Sequence, residues 1–196
     1  MIEHRAFLFD TDLFDRECRD LILNSGVKDE PGTVKKFVED NSKRIKSPYW
    51  GDDIDQDWED EMETKDVQEY ADFAMTAYYN PSDDIGLEEQ WDIVLEALNR
   101  LGFEQAQEAV LGKTVSKDGF TLDPGRCGFG ILTAEEVSKI FYKLKELEPK
   151  IDKADIEEMD LMLDDMDESD LSEAFQRLLD IYRSAKIENK GLLLTF

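Results

Sequence analysis

The sequence is poor in the residues that most enzyme centres use. It contains two cysteines and one histidine among 196 residues. Cys18 and Cys127 are too few for a disulfide framework in a chain of this length. A single imidazole, that of His4, nearly excludes a zinc site and a Ser-His-Asp triad. The position of His4 near the terminus predicts a surface residue.

Long apolar runs are also missing. No stretch approaches the roughly 18 consecutive apolar residues that a membrane-spanning helix requires. The apolar run Ala6–Phe9 is too short for a signal peptide, and charged residues flank it. We therefore expect a soluble, cytoplasmic protein with reduced thiols and no membrane partner.

Basic residues are scarce relative to acidic ones. The chain has 23 Lys and Arg against 48 Asp and Glu, a net charge of −25. This charge repels nucleic acid and attracts cationic partners. The excess is concentrated, because residues 51–72 hold eleven acidic side chains and one lysine, Lys65. We therefore expect no nucleic-acid partner.

Apolar periodicity predicts an α+β fold that is mainly helical. Ala6–Phe9 and Leu192–Phe196 are apolar runs typical of strands covered on both faces. Helical spacing predicts helices over 13–22, 33–44, 66–79, 87–102, 104–111, 133–147, 153–164 and 169–188. We expect one domain, 1–196, whose small sheet contains both terminal strands. Residues 51–66 lack periodicity and are predicted to form an acidic loop or insertion.

Turn and capping residues predict several element ends. Thr133 and Glu136 form a capping-box pattern at the start of the helix over 133–147. Thr11 or Asp12 is placed to cap the first helix, and Asn24-Ser25-Gly26 is expected to end it. Asp-Gly at 118–119 and Asp-Pro-Gly at 123–125 predict turns that short strands flank.

The stretch "HRAFLFDTDLFD" has the pattern with which the nucleophile strand of a haloacid-dehalogenase-type phosphatase begins. Such an enzyme needs Asp10 as nucleophile, Asp12 as general acid and base, and Mg²⁺ beside them. It also needs a small, flexible segment after the second aspartate, where this chain has Leu13 and Phe14. We favour the alternative, in which Asp10 ends a strand and Asp12 caps a helix.

Two other segments suggest chemistry that their details do not support. Placing Asp53, Asp55 and Asp57 as calcium ligands puts Trp58 where an EF-hand requires glycine. Cys127 lies in the glycine-rich turn at 125–130, but an activated thiol needs a nearby base or positive charge. We interpret this stretch as a tight turn and expect no metal and no cofactor; whether Cys127 or the turn has a role stays open.

The acidic segment is the candidate site for a partner. Aromatic residues inside a charged run can anchor a protein interface while carboxylates steer a basic partner. The alternative is a solvated face whose aromatic residues fold inward. The candidate partner-binding residues are Trp50, Asp52, Asp53, Asp55, Asp57, Trp58, Glu59, Asp60, Glu61 and Glu63.

Two C-terminal segments carry a family resemblance. They are "AVLGKTVSKDGFTLDPGRCGFGILTAEEVSKIFYKLKEL" and "FQRLLDIYRSAKIENKGLLLTF". Together they resemble the YfbM-like family of uncharacterised bacterial proteins. One departure is that Arg126 precedes "CGFG", where the family pattern has Gly-Pro-aliphatic-Arg before Leu-Thr. The resemblance implies an α+β domain with no established enzymatic activity, and it carries over no site residues.

The sequence as a whole favours a non-enzymatic protein that binds a basic partner protein. One concrete form is an immunity or inhibitor protein that covers the phosphate-binding surface of a toxin or nuclease. Two alternatives stay open: a Mg²⁺-dependent hydrolase that uses Asp10 and Asp12, and an acidic surface that serves solubility alone.

Overall fold

A three-stranded antiparallel sheet joins the two ends of the chain in the computed structural model, which describes residues 2–154 and 168–196. The strands are β1 (Arg5–Phe9), β4 (Phe129–Leu132) and β5 (Gly191–Thr195), in the order β1-β5-β4. Ala6 and Gly130 both lie opposite Leu194. The predicted pairing of the terminal strands is confirmed, and β5 is the central strand of the sheet.

Eight α-helices and a hairpin complete the described fold, and the mainly helical α+β prediction is confirmed. The helices are α1 (Thr11–Glu17), α2 (Arg19–Lys28), α3 (Gly32–Asp40), α4 (Val67–Met75), α5 (Trp91–Arg100), α6 (Ala106–Leu111), α7 (Ala134–Leu147) and α8 (Glu168–Ile187). The hairpin pairs β2 (Ser116–Lys117) with β3 (Phe120–Thr121). Three 3₁₀ helices span Ser42–Arg44, Trp58–Glu61 and Glu148–Lys153. The helix predicted over 153–164 falls mostly outside the described residues.

The alternation of side chains along the strands divides the apolar interior into two cores. Ala6, Leu192 and Leu194 contribute to a core with the buried residues of α5, α6, α7 and α8. Phe7 and Leu193 contribute to a second core with the buried residues of α1 to α4. Because successive strand residues point to opposite faces, the sheet is covered by helices on both sides. Within the described residues, no helix is both long and apolar enough to cross a membrane.

The first predicted helix is two helices, and its predicted end is wrong. The helix is interrupted at Cys18, and α2 runs through Asn24-Ser25-Gly26 to Lys28. The residue that caps it, Asp29, has a left-handed conformation with a φ of 54°. Gly26 does not stop the helix. A Cβ atom there would lie 2.4 Å from the Phe120 ring, so the missing side chain makes room for the β2–β3 hairpin.

Helix caps agree with the sequence at one site and differ at another. The Thr133–Glu136 capping box is confirmed in both directions. At α1 the cap is Asp10, whose carboxylate accepts a hydrogen bond of 3.0 Å from the Leu13 N–H, and Asp12 is exposed. The prediction that Thr11 or Asp12 caps this helix is therefore wrong, because the helix begins at Thr11, one residue earlier than a cap at Thr11 requires and two earlier than a cap at Asp12 requires.

His4 is buried, so the prediction of a surface histidine is wrong. Its Nε2–H donates to the Val110 carbonyl at 2.9 Å, and its Nδ1 accepts from the Leu87 N–H at 3.0 Å. Burial lowers the pKa of the imidazole from 6.5 to about 4. The neutral ring therefore links the start of β1 to α6 and to the segment before α5.

Candidate partner-binding surface and adjoining cleft

A tight turn presents Trp50 to solvent. The Ser47 N–H donates to the Asp52 carbonyl at 2.8 Å, and the Gly51 N–H donates to the Ser47 carbonyl at 2.9 Å. The Ser47 hydroxyl accepts from the Trp50 N–H at 3.2 Å. Gly51 has a φ of +76°, which a residue with a side chain adopts at a cost. These contacts fix the turn, and the Trp50 side chain at its tip is 73% exposed.

The following segment is anchored by two buried apolar residues, Trp58 and Met62. Trp58 is buried, with its ring centroid 5.1 Å from that of Phe73 and 5.8 Å from that of Tyr70. Met62 is buried as well. The 3₁₀ helix Trp58–Glu61 turns the indole inward while its neighbours Asp57 and Asp60 stay exposed. Trp58 therefore belongs to the core and is not available to a partner.

Some carboxylates of this region have internal contacts. Glu59 lies 2.8 Å from the Lys35 ammonium and accepts a hydrogen bond from the Tyr70 hydroxyl. The bond from Lys35 and then that from Tyr70 hold the pKa of Glu59 below its usual value. Glu61 accepts from the Ser47 hydroxyl, which ties the 3₁₀ helix to the Trp50 turn. These contacts give Glu59 and Glu61 a part in holding the loop together.

The other six candidate carboxylates are exposed, and Asp53 lies opposite Lys46 in an isolated β-bridge. Asp55 accepts a hydrogen bond of 2.8 Å from the Asp57 N–H within the loop. Within the described part of the chain, none of the six lies in an ion pair. We call Trp50 and these carboxylates the acidic surface: Trp50, Asp52, Asp53, Asp55, Asp57, Asp60 and Glu63.

A cleft of about 340 Å³ begins next to the Trp50 turn. Its lining comes from the face of the sheet that carries Arg5 and Phe7, from Asp72 of α4 and Tyr79 after it, and from the turns at 48–49 and 124–128. Its principal lining residues are Arg5, Phe7, Tyr49, Asp72, Tyr79, Cys127, Phe129 and Phe196.

Asp72 is the functional candidate that the sequence analysis missed. It is half-buried between the buried residues Ala71 and Phe73 of α4. Burial, and then the charge of Glu69, raises the pKa of its carboxyl from 3.8 to about 7. Among the described residues no side chain or N–H donates a hydrogen bond to it, and no cation pairs with it. The signal in the sequence that could have identified Asp72 is its position next to the apolar stripe of the predicted helix over 66–79.

The tyrosines of the cleft are affected by the same carboxylate. Burial, and next the charge of Asp72, raises the pKa of Tyr49 to about 12. The same two causes raise the pKa of Tyr79 well above its usual value. Arg5, on the sheet side, lies 3.8 Å from Asp84 and is about half exposed. Near neutral pH the two tyrosines keep their hydroxyl protons. Asp72 is therefore the group of these three that can carry a negative charge in the cleft.

The two cysteines and the glycine-rich turn at 125–130 are the remaining features that the sequence analysis considered. Cys127 is exposed at the rim of the cleft, whereas Cys18 is buried and burial raises the pKa of its thiol to about 12. The Asp123 carboxylate accepts from the Gly128 N–H at 3.2 Å and closes the glycine-rich turn. Among the residues described, no group of three or more His, Cys, Asp or Glu side chains is placed to hold a metal ion.

Comparison with known proteins finds a similarity to a solved structure. No protein-family model matches the chain, and no curated protein does. The chain is similar in structure to YfbM. The crystal structure of YfbM, a protein of unknown function from Escherichia coli, matches 99% of this chain and 98% of that chain, with a TM-score of 0.48 and 13% identity. The match assigns neither an activity nor a site residue.

Proposed function

We propose that this protein binds a basic partner protein through the acidic surface and catalyses no reaction there. The observation that carries the proposal is the position of Trp50. Its indole is 73% exposed at the tip of a turn fixed by hydrogen bonds, beside carboxylates that no cation of the described chain neutralises.

The two parts of the surface have different physical roles in binding. A tryptophan is among the commonest residues to carry a large share of the binding energy at an interface, because it buries much apolar area when a partner covers it. Exposed carboxylates contribute mainly to the rate of encounter and to the choice of partner. A basic protein with an apolar pocket within its positive patch complements both features.

An immunity or inhibitor protein is the concrete form of this proposal. Toxins and nucleases that act on nucleic acid present lysine and arginine side chains to phosphate groups. A row of exposed carboxylates such as Asp53, Asp55 and Asp57 offers those side chains an alternative set of anions. Occupying the phosphate-binding surface would block the partner without any chemistry by this chain.

Affinity capture with matched variants tests the proposal. The baits are the wild type, Trp50→Ala, and a variant in which Asp53, Asp55, Asp57 and Asp60 are all changed to Asn. The control changes four exposed carboxylates on the opposite side of the sheet to Gln: Glu104, Glu146, Glu173 and Glu188. Both multiple variants remove four negative charges, so a difference between them reports position and not net charge.

The proposal expects a basic protein that the wild type and the Gln control retain at low salt. The Trp50→Ala and Asn variants should lose most of it. Retention of the same protein by all four baits would contradict the proposal. Capture of no basic protein by the wild type would leave the acidic residues with a role in solubility alone.

A further inference from the structure

The cleft beside the Trp50 turn combines aromatic walls with an inner carboxylate. Phe7 and Phe129 come from the sheet, Tyr49 from the turn, and Tyr79 from the segment after α4. Its volume of about 340 Å³ lies at the lower end of the roughly 300–1,000 Å³ range of small-molecule sites. The cleft therefore has the size and composition of a binding site for a small group.

Among the described residues, Asp72 has neither a hydrogen-bond donor nor a cation as a partner. A half-buried carboxylate lacking hydrogen bonds and a counter-ion is unfavourable in its charged form. Glu69, one turn earlier on α4, adds a second negative charge nearby. Arg5 is the cation on the sheet side of the cleft, and the ion pair it makes is with Asp84. Asp72 thus lines the cleft without a counter-ion among the described residues, where a bound cation could supply one.

We propose that this cleft binds an organic cation, an ammonium or guanidinium group on a short apolar stem, with Asp72 as its counter-ion. Tyr49 and Tyr79 line the cleft, and aromatic rings attract a cation, an interaction that gains strength where water is excluded. Phe7 and Phe129 provide the apolar surface that the stem requires. The proposal does not depend on the proposed function, because it concerns a different set of residues.

The charges around the cleft favour a cation over an anion. Of the described residues that line it, Glu3 and Asp72 are acidic and Arg5 alone is basic. The whole chain carries a net charge of −25, so its field also attracts cations and repels anions. A neutral apolar ligand would contact the aromatic residues but would give Asp72 no counter-ion. A neutral ligand is therefore the comparison in the experiment.

Cys127 makes occupancy of the cleft measurable. It is the exposed cysteine and lies at the rim, whereas Cys18 is buried with a thiol pKa raised to about 12 and serves as an internal reference. Alkylation of each thiol by iodoacetamide can be followed by mass spectrometry. The probes are butylammonium and butylguanidinium, with butanol and butyrate as neutral and anionic analogues of similar length.

We expect the two cations to slow alkylation of Cys127, and the neutral and anionic analogues to have little effect. In Asp72→Asn the concentration of cation needed for protection should rise about tenfold or more, as expected when a charge-assisted contact is lost. Tyr49→Leu keeps the charge and removes one ring, and it should weaken protection less. Glu173→Gln, on the other side of the sheet, should leave protection unchanged.

Titration calorimetry with butylammonium measures how the affinity depends on pH. A cleft that bound the ligand through apolar contacts alone would show no such dependence. Affinity should rise between about pH 5.5 and pH 8, with a proton released on binding, because the cation favours the charged form of Asp72. The other groups at the cleft are Glu3, Arg5, Tyr49, Glu69, Tyr79 and Cys127. The measurement is repeated in Cys127→Ser, so that a contribution of the thiol at the rim is removed.

Two further arms distinguish the source of the cation. The cleft shares Tyr49 with the turn that carries Trp50, so a lysine side chain of a bound protein could enter it. A blocked Gly-Lys-Gly peptide that binds through Asp72, and more weakly in Trp50→Ala, would identify a side chain as the ligand. Binding of butylammonium without binding of the peptide would identify a free amine. Equal protection by butanol and butylammonium, unchanged protection in Asp72→Asn, or no protection by either cation would overturn the proposal.

Discussion

Leu87 and His4, which are 83 positions apart in the chain, are joined by a hydrogen bond of 3.0 Å from the Leu87 N–H to Nδ1 of the imidazole. The other ring nitrogen donates to the Val110 carbonyl. Nδ1 can accept this bond only while it carries no proton, so the contact holds the neutral form of the ring. The pKa of about 4 in the folded protein lies below the ordinary value of 6.5.

This contact predicts a loss of stability in mild acid. Below pH 6.5 the unfolded chain binds a proton at His4 before the folded protein does, so the free energy of unfolding falls until about pH 4. In His4→Gln the position has no titratable group. Denaturant unfolding followed by circular dichroism should therefore show the advantage of the wild type over the variant shrinking from pH 7.5 to pH 4.5. A constant difference would contradict the role given to His4.

Asp72→Asn should stabilise the protein at pH 8. The folded pKa of about 7 lies above the unfolded value of 3.8, so the wild type loses stability as the pH rises from about 4 to 7 and then levels off. The amide avoids a half-buried charge, and the gain should be about 1–3 kcal/mol at pH 8 and close to zero at pH 4. Asp60→Asn, at an exposed position, is the control in the same unfolding series.

Two substitutions of Asp10 distinguish a role as helix cap from a catalytic role. As an N-cap, Asp10→Ala should cost about 0.5–2 kcal/mol, whereas Asp10→Asn should cost little, since asparagine caps helices about as well as aspartate. Thermal unfolding of both variants measures this difference. If a Mg²⁺-dependent phosphatase activity were found and lost in Asp10→Asn, the hydrolase alternative would replace the capping interpretation.

The approach of α6 to β4 gives a test of packing. A Cβ atom on Gly130 would lie 2.1 Å from the carbonyl oxygen of Leu111, so Gly130→Ala requires backbone movement. We expect a loss of about 1–3 kcal/mol, the usual range for overpacking. Gly32→Ala is the matched control, because an added Cβ there meets nothing within 4 Å. Equal midpoints of denaturant unfolding for the two variants would contradict this close approach of the helix to the strand.

The parts of the fold that local patterns determine were predictable. The apolar runs at the ends of the chain predicted β1 and β5, and Thr133 with Glu136 predicted the start of α7, because both signals lie within a few neighbouring residues. The strand β4 was harder to predict, since "FGIL" is short and contains a glycine. The role of Gly26 depends on Phe120, a residue far away in the chain.

The candidate sites depended still more on distant contacts. Trp50 and Trp58 stand in the same acidic stretch, and only the 3₁₀ helix decides that Trp58 packs on Phe73 while Trp50 remains exposed. The burial of His4 depends on Leu87 and Val110. The position of Asp72 in the cleft depends on the strands and turns that line the cleft together with α4. None of these relationships has a periodic signature in the sequence.

The most direct measurement of the central claim is the association rate of the captured basic partner at several salt concentrations. For the wild type we expect fast association that slows steeply from about 50 to 300 mM salt, because screening weakens the attraction of exposed charges. The variant with Asp53, Asp55, Asp57 and Asp60 changed to Asn should associate about tenfold more slowly at low salt, with a flatter salt dependence. The Gln control should behave nearly as the wild type does. If the Asn variant associates as fast as the wild type at every salt concentration, the acidic surface is not the binding surface.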